Sequence, residues 1–212
     1  MTLPDLAFTP DLRARIAANL SGERRSAPGA SLRAAAVSIV IAGTPGGPAH
    51  FLLTRRQARM NAHAGQFALP GGKIDPGETA EQAARREVQE ELTLTLAGSE
   101  LLGRLDDLPT RSGYLVTPFV FWLDTPREPV PNPGEVAHLH RIPLADLFAE
   151  DPGHPDEMGD DHGPEVFWLY IPTLGHRVYA PTAAMLRHFR DLGLTGQDIP
   201  APHHAEPVFA RK

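Results

Sequence analysis

Arg86 is followed by three glutamates, Glu87, Glu90 and Glu91, in a stretch that runs from Pro70-Gly71-Gly72 to Leu94. At helical spacing the three share one face, because residues three and four apart are neighbours with Cβ atoms roughly 5–6 Å apart. Carboxylates crowded in this way repel by about 0.2–0.5 kcal/mol per pair. A divalent cation turns that repulsion into attraction, and hard cations take oxygen ligands. The plain alternative is a solvated helix face. The loop ahead of the glutamates favours the metal reading. Gly71-Gly72 lets backbone groups come close to a ligand, and Gly77 gives a second turn just before Glu78. Glu78 lies two helical turns from Arg86, so an ion pair can tie loop to helix.

The helix that must hold these groups is legible in the same stretch. Thr79 is an N-cap and Gln82 completes a capping box with it. Glu81 sits in the first turn, where the helix dipole favours an acid. Ala80, Ala84, Val88 and Leu92 recur every four residues and form the apolar stripe that buries this helix. The glutamates are left on a different face.

The loop and helix together resemble the box of the Nudix hydrolases, G-x5-E-x7-R-E-U-x-E-E-x-G-U with U aliphatic. Gly72, Glu78, Arg86, Glu87, Val88, Glu90, Glu91 and Leu94 fall on that pattern, and Thr93 stands where the family has glycine. Glycine at a helix end commonly takes positive φ, which is costly for a β-branched residue. The expectation is therefore a helix ending at Leu92 or Thr93 with negative φ.

A second resemblance precedes the box. Leu52, Leu53, Thr54, Arg56, Gly65, Pro70, Gly71 and Gly72 match the signature L-L-T-x-R-[SA]-x3-R-x3-G-x-x-x-F-P-G-G of coenzyme A pyrophosphatase Nudix enzymes. Gln57 replaces a small residue, Leu69 replaces phenylalanine, and Asn61 replaces an arginine suited to gripping phosphate. Arg55 or Arg59 can supply that charge from nearby. The resemblance implies substrate contacts from Arg56, Arg55, Gly71 and Gly72. Without it, His63 reads as an ordinary loop histidine and Arg56 as a surface charge at a strand end.

Diphosphate oxygens repel an attacking water, so an enzyme must neutralise charge and place the water in line. Magnesium or manganese, bound by a few carboxylates with water and phosphate oxygens, meets that need. In the family such positions bind the metals, which here means Glu87, Glu90, Glu91 and the carbonyl of Gly72. The catalytic set so implied is Glu91, Glu90, Glu135 and Arg86, with Arg86 orienting Glu90 or pairing with Glu78. Glu135 follows Asn132-Pro133-Gly134, at the loop-to-strand junction where the coenzyme A relatives place another acid. A turn of defined shape suits a metal ligand or general base; the plain alternative is an exposed loop carboxylate.

The expected activity is hydrolysis of a nucleoside diphosphate linked to another moiety, led by coenzyme A, to an adenosine phosphate and a phosphopantetheine. Nucleotide sugars, dinucleotides or damaged nucleoside triphosphates are the alternative substrates. A catalytically inactive ligand sensor is a different class of reading, opposed by the intact glutamate set.

At 212 residues the chain is long enough to bury a real core. Cysteine is absent, which excludes disulfides, zinc-thiolate sites and cysteine nucleophiles. A net charge of −6 and a pI near 5.9 argue against broad binding to nucleic acid. No apolar run suits a membrane span and no signal peptide is evident, so the expected location is cytoplasmic. The expected partner is a small diphosphate, and a homodimer is left open.

The remaining elements follow from periodicity and punctuation. Thr9 caps a helix with Pro10 first and Leu12, Ile16 and Leu20 on one side. A linker to residue 31 includes Arg24-Arg25, read as solvated. Strands are expected at 32–42 and 50–56, joined as a hairpin, and at 101–105, 114–123 and 135–142. Pro118 in the fourth of these requires an edge or a bulge. The polar loop 106–113 can face the ligand, and residues 126–133 are a proline-rich connector. A short helix starts at Pro143, and a mobile loop over 151–164 carries His154, Asp156, Asp160 and His162, read as solvated. A closing hairpin spans 166–179. Pro181 starts a helix on which Ala184, Leu186, His188 and Phe189 mix core and surface positions, and the tail from Thr195 is expected to be poorly ordered. The organisation is an N-terminal helix and linker (1–31), a Nudix hydrolase domain (32–193) and a C-terminal tail (194–212). The fold class is α/β, a Nudix-type α/β/α sandwich with a mixed sheet.

Overall fold

The computed structural model describes residues 4–26, 32–57, 66–150 and 167–200. Arg59, Asn61, His63, Gly65, the acidic group His154, Asp156, Asp160 and His162, and the tail beyond residue 200 lie outside the described residues.

The centre of the molecule is β1 (Arg33–Ala42), an almost unbroken run of Ala, Val and Ile. Such a strand is apolar on both faces because both are covered. It runs parallel to β7 (Tyr114–Trp122) along its whole length and antiparallel to β2 (His50–Arg56) only at their hairpin end. Beyond Ile41 and Phe51 the two strands splay. The short strands β3 (Phe67–Ala68) and β4 (Gly71–Lys73) fill the wedge, β3 on β2 and β4 on β1. On its other edge β2 pairs with β8 (Val136–Pro143), and β7 carries β5 (Leu101–Arg104) and β6 (Leu108–Pro109). The sheet is mixed, as expected.

Pro118 lies inside this sheet, paired with β1 and neither at an edge nor at a bulge of its own strand. Its carbonyl accepts from the Leu105 amide, which lies in the gap between β5 and β6. A residue's N–H and C=O point to the same edge of a strand, so the missing donor faces that interruption and β1 loses no bond.

Side chains alternate across the sheet. Ala36, Val40, Leu52, Phe119 and Phe121 face α2 (Ala80–Leu92) and pack on its Ala83, Ala84, Val88 and Leu92. Ile39, Ile41, Phe51, Leu53, Val120 and Trp122 face the other way, against α1 (Pro10–Leu20) and α3 (Thr182–His188). Helices on both faces make the α/β/α sandwich. The N-terminal helix is part of this core: Leu12, Ile16 and Leu20 are buried, and Phe8 stacks on Trp122 with ring centroids 4.1 Å apart. In the last helix, Ala184, Leu186, His188 and Phe189 are all buried, which removes the mixed surface expected there. A π-helical turn, Phe189–Leu194, continues it. The closing hairpin is formed by β9 (Trp168–Ile171) and β10 (His176–Tyr179).

Two loop expectations are corrected. The carboxylates of the 106–113 loop are engaged by the protein: Asp106 takes the Arg25 amide and guanidinium and faces His188, and Asp107 takes Arg104 and Thr117. Arg25 is accordingly ion-paired, to Asp106 and Asp198, and not simply solvated. Thr93 is also corrected. It is the C-cap of α2 in the left-handed region, φ 56° and ψ 30°. It accomplishes what the family's glycine would, closing the helix with its amide on the Gln89 carbonyl, while its hydroxyl donates to the Val130 carbonyl.

Candidate active site

The capping box forms as written: the Gln82 amide donates to the Thr79 hydroxyl, and the Thr79 amide donates to the Gln82 side chain. It fixes the first turn of α2 against the incoming loop. Two turns later, Arg86 gathers that loop. Its Nε and Nη2 reach the two oxygens of Glu78 at 3.0 and 3.1 Å, Nη2 also reaches the Lys73 carbonyl at 2.9 Å, and Nη1 reaches Glu87 at 2.8 Å and Glu90 at 3.0 Å. The fork on Glu78 holds that carboxyl below its ordinary range. Arg86 therefore both orients Glu90 and pairs with Glu78, and it reaches Glu87 as well.

Glu91 faces inward and is 2 % exposed. Burial pushes its carboxyl up to about 8; the charge of Arg56 opposes this, Glu87 and Glu135 add to it, and the Gly71 amide opposes it. Its Oε2 is buried with no hydrogen-bond partner among the described residues. Glu87 is half-buried and also raised, first by burial, with Arg86 pulling it down and Glu90 and Glu135 pushing it up. Glu90 is the exposed member. The two glycines serve different neighbours. A Cβ on Gly72 would fall 2.2 Å from Glu87 Oε1, and one on Gly71 would fall 2.4 Å from the Ala36 carbonyl oxygen of β1. Gly72 thus lies directly under a carboxylate, and Gly71 lets β4 close on β1.

Arg56 and Arg55 part company. Arg56 follows Leu52 onto the α2 face and stands 3.7 Å from Glu91. Arg55 follows Leu53 onto the opposite face, 5.8 Å above the Phe67 ring and opposite His138. The expected pair of substrate arginines is divided by the sheet, and Arg56 alone joins the glutamates.

Glu135 comes to them by way of the connector. The Val130 and Asn132 amides donate to the carbonyls of Leu92 and Glu91, groups that a helix C-terminus leaves unpaired. The chain then turns at Asn132, whose carbonyl accepts from the Glu135 and Val136 amides, and β8 begins. Glu135 is half-buried there and repels both Glu87 and Glu91. Two residues were missed as participants. Gln57 donates to the Pro133 carbonyl and, through its amide N–H, to the Glu135 carbonyl; Asn132 donates to the Glu135 carboxylate. The Asn-Pro-Gly turn signal marked the place of Asn132 but not its side-chain contact.

An all-oxygen set with an unpartnered buried carboxylate oxygen fits a hard divalent cation. Among the described residues no three acidic or histidine side chains converge on one point.

With this geometry in place, the family model and the curated relatives agree on the class. The NUDIX domain matches residues 32–161, more than half of the chain. An uncharacterized Nudix hydrolase, NudL, of Photorhabdus laumondii is 34% identical over 139 residues, covering 64% of this chain and 72% of the relative. Its namesake from Yersinia pestis (strain Pestoides F) is 34% identical over 163 residues, covering 75% and 79%. A solved Nudix hydrolase from M. smegmatis, RenU, is 30% identical and covers 55% of this chain and 73% of its own, with a TM-score of 0.43. The chain belongs to the Nudix family and is a Nudix pyrophosphohydrolase. The family hydrolyses small nucleoside diphosphate derivatives and generally uses divalent metals. Among the described residues no helix is long and apolar enough to cross a membrane.

Proposed function

We propose that this enzyme hydrolyses the diphosphate of coenzyme A or a close derivative, giving an adenosine phosphate and a phosphopantetheine, with magnesium or manganese. The observation that carries the reading is Arg56, the arginine of the accessory signature, standing beside Glu91 of the box. Two motifs separated in sequence are thereby joined at one point, with a cation poised for a phosphate oxygen.

Glu87, Glu90, Glu91 and the Gly72 carbonyl would hold the metal. When bound, the ion supplies charge neutralisation on the diphosphate and acidifies a bound water. Arg56 orients the diphosphate. Glu135, beside Glu87 and Glu91, serves as a further ligand or as the base that takes the proton from the attacking water. Arg86 keeps Glu87 and Glu90 in place and ties the loop to α2. Asn61 departs from the arginine of the accessory signature, and nucleotide sugars, dinucleotides or damaged nucleoside triphosphates form the second reading. The test is kcat/KM for coenzyme A, ADP-ribose, a nucleotide sugar and diadenosine polyphosphates, each with magnesium and with manganese. Coenzyme A is expected to lead; an inert coenzyme A beside a rapidly cleaved nucleotide sugar would reverse the assignment.

A further inference from the structure

We infer that Asn132 is a positioning residue that holds the Glu135 carboxylate against the glutamates of α2, an inference that rests on the proposed role of Glu135. Asn132 bonds through its backbone N–H and C=O and through both ends of its side-chain amide. Its amide donates to the Glu91 carbonyl at 2.8 Å, so the residue is pinned to the end of the helix that carries Glu87 and Glu91. Its carbonyl accepts from the Glu135 and Val136 amides at 3.1 and 2.9 Å. The side-chain oxygen accepts from the Gly134 amide at 3.0 Å, and the side-chain nitrogen donates to Glu135 Oε1 at 3.3 Å. The first three contacts shape a turn, and aspartate would preserve them. The fourth touches only the carboxylate, and it needs a donor that aspartate lacks.

That division determines the chemistry. Glu135 is repelled by Glu87 and Glu91, so a free side chain would swing towards solvent. A neutral amide donor on Oε1 restrains it without cancelling its charge and leaves Oε2 to offer its lone pairs. Partners of this kind fix the orientation of a ligand or base, and their loss typically costs about 10–100-fold in metal affinity or activity.

The experiment is a double-mutant cycle of Asn132→Asp and Glu135→Gln, with Asn132→Ser as a neutral variant that keeps an acceptor for Gly134. Each protein is assayed on coenzyme A, or on ADP-ribose if that is the better substrate, and its Mn2+ binding is followed by EPR without substrate. Melting is expected within about 5 °C of wild type for the Asn132 variants, since the turn bonds remain. Turnover should fall about 10–100-fold with KM within about threefold. The double variant should be no slower than Glu135→Gln alone, and Asn132→Ser should change Mn2+ affinity by the same factor as Glu135→Gln. Losses that multiply, wild-type turnover in both Asn132 variants, or a large fall in melting without coupling to Glu135 would overturn the inference and leave Glu135 standing. Wild-type turnover in Glu135→Gln would remove the role of Glu135 itself, and this inference with it.

Discussion

Glu91 is the residue where function and stability conflict. Its carboxyl is pushed up to about 8 by burial, whereas in the unfolded chain it ionises near about 4.3. Between those values the native state keeps a proton that the unfolded chain has lost, so this group's contribution to stability falls as pH rises through the window. In chelator, Glu91→Gln is therefore expected to melt higher than wild type at pH 8, with the gap closing towards pH 5. In saturating Mn2+ the order should reverse, and turnover should be at least about 100-fold lower at every pH. Thermal melts across pH with and without metal check both halves. A variant that melts no higher in chelator at pH 8 would show that the buried carboxylate has found compensation. Glu87→Gln is expected to lower turnover comparably while the fold survives, because Glu87, like Glu91, faces Glu135.

At the scale of elements, α2 is fastened at both ends by the loops it must position. Arg86 clasps the incoming loop through Glu78 and the Lys73 carbonyl. Lysine has a charge but no planar fork, so Arg86→Lys should lower kcat by about 10–100-fold. The loss should exceed any change in KM, which steady-state kinetics would separate. The other end is closed by Thr93 in the left-handed region. A β-branched residue there costs about 1–2 kcal/mol, offset in part by its hydroxyl bond to Val130. Thr93→Gly is expected to raise stability by about 1 kcal/mol with Mn2+ affinity unchanged, as urea unfolding and metal titration would report. A shifted metal affinity would mean that the cap and the metal face are coupled.

At the scale of the molecule, the two layers of helices do different work. The face of the sheet carrying α2 holds the candidate site, while α1 and α3 cover the opposite face and close the larger core. Ile16 is fully buried in that core. Ile16→Ala should cost about 2–5 kcal/mol and leave kcat of the folded protein and its Mn2+ affinity unchanged. Chemical denaturation and activity below the unfolding transition would test it. Segments from both ends of the described chain are drawn into the same packing, since Asp106 and Asp198 meet at Arg25 and the buried His188 lies 2.9 Å from the Ile199 carbonyl. These contacts tie residues 198 and 199 to the packing of the domain.

Much of the site is encoded locally. The capping box, the apolar stripe of α2 and the reach of Arg86 to Glu78 all follow from helical spacing, and each is present in the fold; Glu87, Glu90 and Glu91 differ in depth, with Glu91 turned inward and Glu90 exposed. The hairpin of β1 and β2 and the helix after Thr9 were legible for the same reason: short-range punctuation and periodicity suffice to specify them. Other features depend on contacts between distant segments. Alternation along β2 separates Arg55 from Arg56, but only the packing of α2 on one face decides which of them meets Glu91. Pro118 is tolerated inside the sheet because two neighbouring strands leave a gap opposite it. Thr93 takes positive φ because the connector crosses the end of α2 and receives its hydroxyl. Glu135 reaches the other acids for the same reason: unpaired carbonyls at a helix end must find donors, and Val130 and Asn132 supply them. Local sequence thus determined which groups can do chemistry, and the need to satisfy buried polar groups across the fold decided which of them stand together.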